Sequence, residues 1–321
     1  MAMHNMAFER DAPKAARPST LRSAEEDNMS NGNSLVNLGD LAKPANTLIE
    51  KISDAIGGIF KPYQIRRVAQ AEAEADKIHA VTQIEISDLQ KRAMVRFFAE
   101  EAKKQDNIES ITRKALPEVT EQAKPEQVED DWITHFFDKC RLISDKEMQC
   151  LWARVLAGQA NSPGSFSKRT VEILSDLEKS DAILFSKLCG FGFHIDKKVS
   201  PLVYDIKHSI YTDHEITFMS LSHLESLGLV HFNNLSGYVL QGLGQKGYVH
   251  YLGNKVWIEF QQPENNELQL GNVLLTQAGE QLAQICGGQP MEGFIDYVKE
   301  KWKSFGYKTE PNAEQDNTAD R

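Results

Sequence analysis

The sequence contains one long stretch without a helix-breaking residue. Residues 64–116 include neither proline nor glycine and are rich in Glu, Ala, Lys, Gln and Arg, which are strong helix formers. Apolar residues recur there every three or four positions, the period of one helix face. A continuous helix of this length spans about 75 Å at ~1.5 Å per residue, more than a compact domain covers. The pattern predicts a long helix that needs a partner along its length, with a second helix start at Asp106 as the alternative.

An amphipathic segment precedes the long helix. Between Leu48 and Phe60 the apolar residues fall on one helix face, with Thr47 and Glu50 as a candidate capping box and Gly57 as a stop signal. The polar face is neutral to slightly acidic, whereas helices that lie on anionic lipid usually carry Lys and Arg there. We therefore expect the apolar face to pack against the protein itself or a second subunit, with a membrane surface as the alternative.

The predicted interaction surface combines these two segments. Its members are apolar residues at helical spacing in the short helix and the first part of the long one. They are Leu48, Ile49, Ile52, Ile56, Ile59, Phe60, Ile65, Val68, Ile78 and Val81. Because an exposed apolar stripe of this extent is unfavourable in water, we expect a second copy of the chain or a partner protein to cover it.

Composition and charge limit the classes of function. A hydrophobic share of 41% is typical of a globular protein, and the net charge of −10 disfavours nucleic acid as a partner unless a local basic patch reverses it. The four cysteines lack metal-site or C-x-x-C spacing, so we expect reduced thiols. Neither a signal-peptide core nor a membrane-spanning stretch is evident. We expect a cytoplasmic protein, with attachment to the periphery of the inner membrane as the alternative.

The order of patterns along the chain predicts a mainly α fold with a mixed C-terminal part. The two ends, residues 1–33 and 308–321, are polar and are predicted to be disordered. The predicted regions between them are an amphipathic helix (34–62), a long helix (63–116), a linker (117–127), a helical bundle (128–190), a winged-helix-like α+β unit (191–288) and a C-terminal helix (289–307).

The winged-helix-like prediction depends on two junctions, LSHLESLGLV from helix to strand and NVLLTQAGEQLAQI from strand to helix. The segments GYVLQ and GYVHYLGNKVWIEF between them are typical of strands. A winged-helix DNA-binding regulator is one functional alternative. However, residues 205–290 carry a net charge of −5, and the candidate recognition helix lacks Lys and Arg. We therefore expect this unit to contact protein, and nucleic acid is not an expected partner.

Catalytic chemistry has little support in the sequence. Phosphate-loop, dinucleotide-binding and nucleophile-elbow motifs are absent, and GLGQKG at 242–247 is interpreted as a wing or hairpin turn between strands. Asp131, His135 and Asp138 share a helix face at a spacing that suits metal ligands, but their alternation with aromatic residues equally fits a boundary between core and solvent. We expect no enzyme activity, no cofactor and no metal.

The most distinctive string is ISDKEMQCLWARVLAGQANSPGSFSKRTVEIL at 143–174, accompanied by KKQDNIESITRKALP at 103–117. The motif residues in the first string are Trp152, Arg154, Gly158, Pro163, Gly164, Ser165, Phe166 and Arg169. We interpret Trp152 as a core anchor, Gly158 as the end of one helix and Ser165 as the cap of the next, with a tight Pro-Gly turn between them.

The two arginines of this motif have a less obvious role. We expect Arg154 and Arg169 to cross-link neighbouring helices through a carboxylate such as Asp145 or Glu172. Binding of an external anion is the alternative.

Together the two strings resemble a bacterial family of uncharacterised proteins defined as a domain of unknown function, over about residues 35–190. That family is similar in its long-helix-plus-bundle layout to the abortive-infection alpha proteins associated with phage defence. The resemblance implies a defence-related role and no catalytic residues. We expect a non-enzymatic, self-associating interaction protein, and a membrane-associated effector acting through the helix at 47–60 is a further alternative.

Overall fold

The structure is a computed structural model, and it describes residues 43–57, 87–195 and 198–309. Several predictions lie outside these residues. They are the disordered arm at 1–33, most of the tail at 308–321, and the interface residues Ile59, Phe60, Ile65, Val68, Ile78 and Val81.

The described helices are numbered in chain order. They are α1 (Lys43–Ile56), α2 (Asp88–Ala115), α3 (Asp130–Cys140), α4 (Lys146–Asn161), α5 (Lys168–Asp176), α6 (Lys179–Cys189), α7 (Ser209–Thr212), α8 (Phe218–Ser226), α9 (Gln277–Ala283) and α10 (Phe294–Ser304). Two short 3-10 turns, Leu116–Glu118 and Pro125–Gln127, lie between α2 and α3. Within the described residues, none of the helices has both the length and the apolar character needed to cross a membrane.

Helix α2 corresponds to the second part of the predicted long helix, and because it begins at Asp88 the prediction of one continuous helix over 63–116 is wrong. It begins with a capping box in which the Ser87 hydroxyl accepts from the Gln90 backbone N–H and the Gln90 side chain accepts from the Ser87 N–H. The helix continues without a break past Asp106, so the predicted second start there is wrong. Asn107 holds this region in place instead, because its side chain donates to the backbone oxygen of Arg141 at 2.8 Å.

The N-terminal helices pack around an aromatic core. Helix α1 packs against α3 and the Pro125–Gln127 turn, and the C-terminal half of α2 packs against α4. Trp132 stacks on Phe136, and Phe136 meets Trp152 edge to face with ring centroids 5.2 Å apart. Thr47 lies inside α1 and is not its cap, because the described helix already includes Lys43–Asn46; the Thr47 hydroxyl donates to the Lys43 oxygen one turn back.

The C-terminal half contains eight described strands. They are β1 (Gly192–Ile195), β2 (Lys198–Pro201), β3 (Val230–Phe232), β4 (Tyr238–Leu243), β5 (Lys246–Tyr251), β6 (Asn254–Glu259), β7 (Asn266–Gly271) and β8 (Val273–Leu275). One antiparallel sheet has the order β2-β1-β5-β6, while β3 pairs with β8 and β4 with β7. Helix α10 contributes Phe294 and Trp302 to a buried aromatic cluster with Phe193 of β1 and Tyr251 of β5.

The mainly α prediction is wrong. About 53% of the described residues are helical and 17% lie in strands, which makes the fold a mixed α+β one. The predicted strands GYVLQ, GYVHYLGNKVWIEF and NVLLT are confirmed as β4, β5 with β6, and β8. The short strands β1, β2 and β7 escaped prediction because three to six residues carry little periodic signal and their pairing is distant in sequence. Residues 242–247 contain the end of β4, the connection at 244–245 and the start of β5; because β4 and β5 belong to different sheets, they do not form a hairpin turn.

Candidate functional site

The apolar stripe of α1 is covered by the chain itself. Leu48, Ile49 and Ile52 are buried where α1 packs against α3 and the Pro125–Gln127 turn. An ion pair also joins α1 to α3, because the Lys51 ammonium nitrogen lies 3.1 Å from an Asp130 carboxylate oxygen. Of the two predicted coverings for this stripe, the protein itself or a second subunit, the protein itself covers these three residues. Ile56, also predicted to lie in the interface, is half-buried at the end of the helix.

The first half of α2 presents the opposite situation. We call residues 88–103 the α2 arm. Four large apolar side chains project from it into solvent: Leu89 is 69% exposed, Val95 71%, Phe97 57% and Phe98 52%. The helix becomes buried only from Asn107 onward, where it packs on α4.

The arm is apolar on two sides. At about 100° per residue, Leu89 and Phe97 each lie within about 40° of the line of Ile111, which is fully buried further along α2. Val95 and Phe98 lie on the adjacent side, and the rings of Phe97 and Phe98 meet edge to face with centroids 5.9 Å apart. Because two helix faces are apolar, the arm offers a broad surface rather than a single narrow seam.

Charge is divided along the arm. Residues 88–96 carry Lys91, Arg92, Arg96 and Asp88, a net charge of +2, and residues 97–103 carry Glu100, Glu101 and Lys103, a net charge of −1. Arg96 and Glu100 form an ion pair one turn apart, with 3.4 Å between Nε and Oε1. The arm therefore has a basic first part and an acidic second part.

Sequence reasoning did not name the exposed apolar residues of the α2 arm. It named Ile65, Val68, Ile78 and Val81, which lie outside the described residues, and left out Leu89, Val95, Phe97 and Phe98. A signal was present in MVRFFA at 94–99, where consecutive apolar residues occupy more than one side of a helix and cannot all face one core.

The motif between α4 and α5 forms a packed turn. Trp152 is fully buried, as predicted for a core anchor. Helix α4 does not end at Gly158 but continues to Asn161. Gly158 leaves room for the Phe166 ring, because a Cβ at this position would lie 2.6 Å from the Phe166 Cε2 atom. Both backbone polar groups of Phe166 are satisfied by side chains: its N–H donates to Gln159 Oε1 at 2.9 Å, and its oxygen accepts from Trp132 Nε1 at 2.8 Å.

The turn itself is confirmed and its cap is corrected. Pro163 is followed by Gly164 at φ +90°, a backbone conformation that favours glycine. Ser165 does not cap α5; the Ser167 hydroxyl does, accepting from the Thr170 N–H. Packing and turn geometry account for this part of the motif.

The two motif arginines have different surroundings. Arg154 Nη1 donates to the Ile285 backbone oxygen at 2.8 Å, and its Nε lies 3.9 Å from Glu118 Oε1. It therefore joins α4 to the segment after α9, and neither Asp145 nor Glu172 is its partner. Arg169 is exposed at a cavity of about 280 Å³, and no hydrogen bond or ion pair links it to another residue in the described ranges.

The three residues considered as metal ligands have separate surroundings. His135 Nε2 lies 3.2 Å from Glu172 Oε1, and Asp138 Oδ1 lies 2.8 Å from Arg141 Nη2. The Asp131 side chain is exposed. Across the part of the chain that the structure describes, no three His, Cys, Asp or Glu side chains are grouped so that they could hold a metal ion.

Comparison with known proteins gives a family but no activity. A family model described as a protein of unknown function, DUF2806, matches residues 91–299, well over half of the chain. The chain belongs to this family. The DUF2806 match begins within the α2 arm and ends within α10, so it includes the exposed phenylalanines and the motif of α4 and α5. The prediction of a family of unknown function is confirmed, but the match covers residues 91–299 and not the predicted 35–190. No curated protein and no solved structure matches the chain.

Proposed function

We propose that this DUF2806 protein is a non-enzymatic interaction protein that associates with a second copy of itself through the α2 arm. The observation that carries the proposal is the exposure of Leu89, Val95, Phe97 and Phe98 on one segment. The arm is about 24 Å long at ~1.5 Å per residue, and isolated helices of this length are marginal in water. A partner helix that buries both phenylalanines stabilises the arm and removes its apolar surface from water.

The charge pattern of the arm favours a second copy as this partner. When two arms cross antiparallel near Phe97, Lys91 and Arg92 of one copy lie beside Glu100 and Glu101 of the other. Twofold symmetry repeats the same contacts at the other end, as in the commonest class of homodimer. A parallel arrangement would place the basic parts together, which is unfavourable.

Charge reversal tests this arrangement directly. We expect the full chain to have more than the 36.2 kDa mass of one copy in light scattering at micromolar concentration. Lys91→Glu with Arg92→Glu should return it to that mass, because acidic groups then face Glu100 and Glu101. Adding Glu100→Lys and Glu101→Lys to the same chain should restore association. A single-copy mass for the unaltered chain, or no restoration by the combined reversal, would contradict the proposal.

Two other functions have weaker support. The α1 stripe that a membrane-docking effector would use is buried at Leu48, Ile49 and Ile52. Helix α8, the candidate recognition helix of a DNA-binding regulator, carries no Lys or Arg for phosphate contact. Flotation of the chain with anionic vesicles tests the membrane alternative, and retention of the chain on DNA at low salt tests the DNA-binding alternative. Flotation or retention of the single-copy form would favour the corresponding function.

The biological setting we propose is phage defence. Its support is the resemblance of the two strings at 103–117 and 143–174 to a family with the layout of abortive-infection alpha proteins. Plating efficiency of phage on bacteria that express the chain, compared with bacteria that express the charge-reversed arm, tests this role. We expect protection only from the associating form.

A further inference from the structure

A cavity of about 320 Å³ lies between α4, α6 and the segment after α9. Its apolar lining includes Met148, Leu151 and Ile183. Two cysteines also line it, Cys150 and Cys286. Cys286 is half-buried, so its sulfur lies within the protein yet remains accessible from the cavity.

A third cysteine lies directly behind Cys286. Cys189, the last residue of α6, is buried, and its Cβ would lie 3.0 Å from a Cβ at Gly288, two residues after Cys286. The Cys286 thiol itself donates to the Ala283 oxygen at 3.5 Å. The chain after Cys286 approaches α6 closely at Gly288, where a Cβ atom would lie 2.8 Å from the Cys189 carbonyl carbon. Only glycine permits this approach, so the backbone just after Cys286 is held against Cys189.

Several groups hold Cys286 in position and affect its charge. Arg154 donates to the oxygen of the preceding residue, Ile285, and Ser186 Oγ donates to the Cys286 oxygen at 3.2 Å. The hydrogen bond with Cys189, together with the Gly288 N–H and the Arg154 charge, lowers the pKa of the Cys286 thiol despite partial burial. Burial raises the pKa of Cys189 well above its usual value. Cys286 is therefore the more readily ionised thiol of the two.

We propose that Cys286 and Cys189 form a thiol pair that reacts with a small hydroperoxide entering the cavity. The Cys286 thiolate attacks the distal peroxide oxygen, the O–O bond breaks, and the alkoxide or hydroxide that leaves takes up a proton. Cys286 is then a sulfenic acid, oxidised by two electrons at the expense of the peroxide. The Cys189 sulfur attacks the Cys286 sulfur, water leaves with the Cys189 proton, and a disulfide joins α6 to the segment after α9.

The experiment uses the full chain, fully reduced and then exposed to hydrogen peroxide. Free thiols are alkylated and the peptides are mapped by mass spectrometry. We expect a Cys189–Cys286 disulfide, seen as the loss of two hydrogen atoms across those two peptides. In Cys189→Ser, Cys286 should instead accumulate as a sulfenic acid that dimedone traps. Cys140→Ser is the matched control, because Cys140 is also buried but lines no such pair, and it should leave disulfide formation unchanged.

Other outcomes would overturn the proposal. These are oxidation of Cys150 ahead of Cys286, a Cys150–Cys286 disulfide, or thiols that all stay reduced under conditions that oxidise free cysteine. Arg154→Met gives a second measurement that needs no oxidant. Loss of the guanidinium should move the pH profile of Cys286 alkylation to higher pH, and an unchanged profile would remove Arg154 from the site.

Discussion

Replacing Phe97 by alanine should weaken self-association by an amount that follows from its exposure. The side chain is 57% exposed, so pairing can remove just over half of its surface from water. Full burial of a Phe side chain is worth about 1.5–3 kcal/mol, which gives about 0.9–1.7 kcal/mol for this fraction. A symmetric dimer contains the contact twice, so the loss is about 1.8–3.4 kcal/mol. At about 1.4 kcal/mol per tenfold change, the dissociation constant should rise roughly 20- to 270-fold.

Sedimentation equilibrium on the full chain measures this change. A matched control is Leu235→Ala, because Leu235 is 98% exposed and lies in the turn between β3 and β4, away from the arm. The control should leave the dissociation constant unchanged. Both substitutions should alter the free energy of unfolding of the single copy by no more than about 0.5 kcal/mol, since neither side chain packs in the core.

The result that refutes the reasoning is an equal dissociation constant for the unaltered chain and Phe97→Ala. An effect of Leu235→Ala as large as that of Phe97→Ala would also refute it, because the loss would then reflect general surface hydrophobicity. A fall in unfolding free energy with Phe97→Ala would mean that the arm packs on its own chain in solution.

Three further predictions concern the packing and charges around the arm and the motif. Ile52→Ala should lower the free energy of unfolding by about 2–5 kcal/mol, because Ile52 is fully buried. Urea titration measures this change, and a loss under about 1 kcal/mol would place α1 outside the core. Gly158→Ala should lower the free energy of unfolding, because the added Cβ clashes with the Phe166 ring. The loss should be much smaller in a Phe166→Leu background, and a double-mutant cycle measures the difference between the two losses. The hydrogen bond from Lys139 lowers the pKa of Glu172, so this contribution to stability is present above the unfolded carboxyl pKa and is lost as pH falls through the folded value. Lys139→Met should raise the Glu172 pKa in an NMR titration; an unchanged value would assign the lowering to another group.

Local properties were predictable, and the limits of prediction can be seen at particular residues. The helix at α2 followed from its composition, and the amphipathic face of α1 followed from its period. Cap positions were less predictable, because Ser165 and Ser167 are both good caps and the packing of Phe166 decides between them. The short strands β1 and β2 were missed because their stability comes from pairing with each other and with β5, about 50 residues further along the chain.

Sequence by itself determined where helices form and which of their faces need burial, because helix propensity and side-chain period act over a few neighbouring residues. Tertiary structure alone decided what covers each face. Hydrophobic burial is non-directional, so the pattern that predicted a subunit interface at Ile52 is equally satisfied by α3 of the same chain. The same holds for polar groups that meet from distant parts of the chain, as Arg154 meets the Ile285 oxygen and Cys189 meets Cys286.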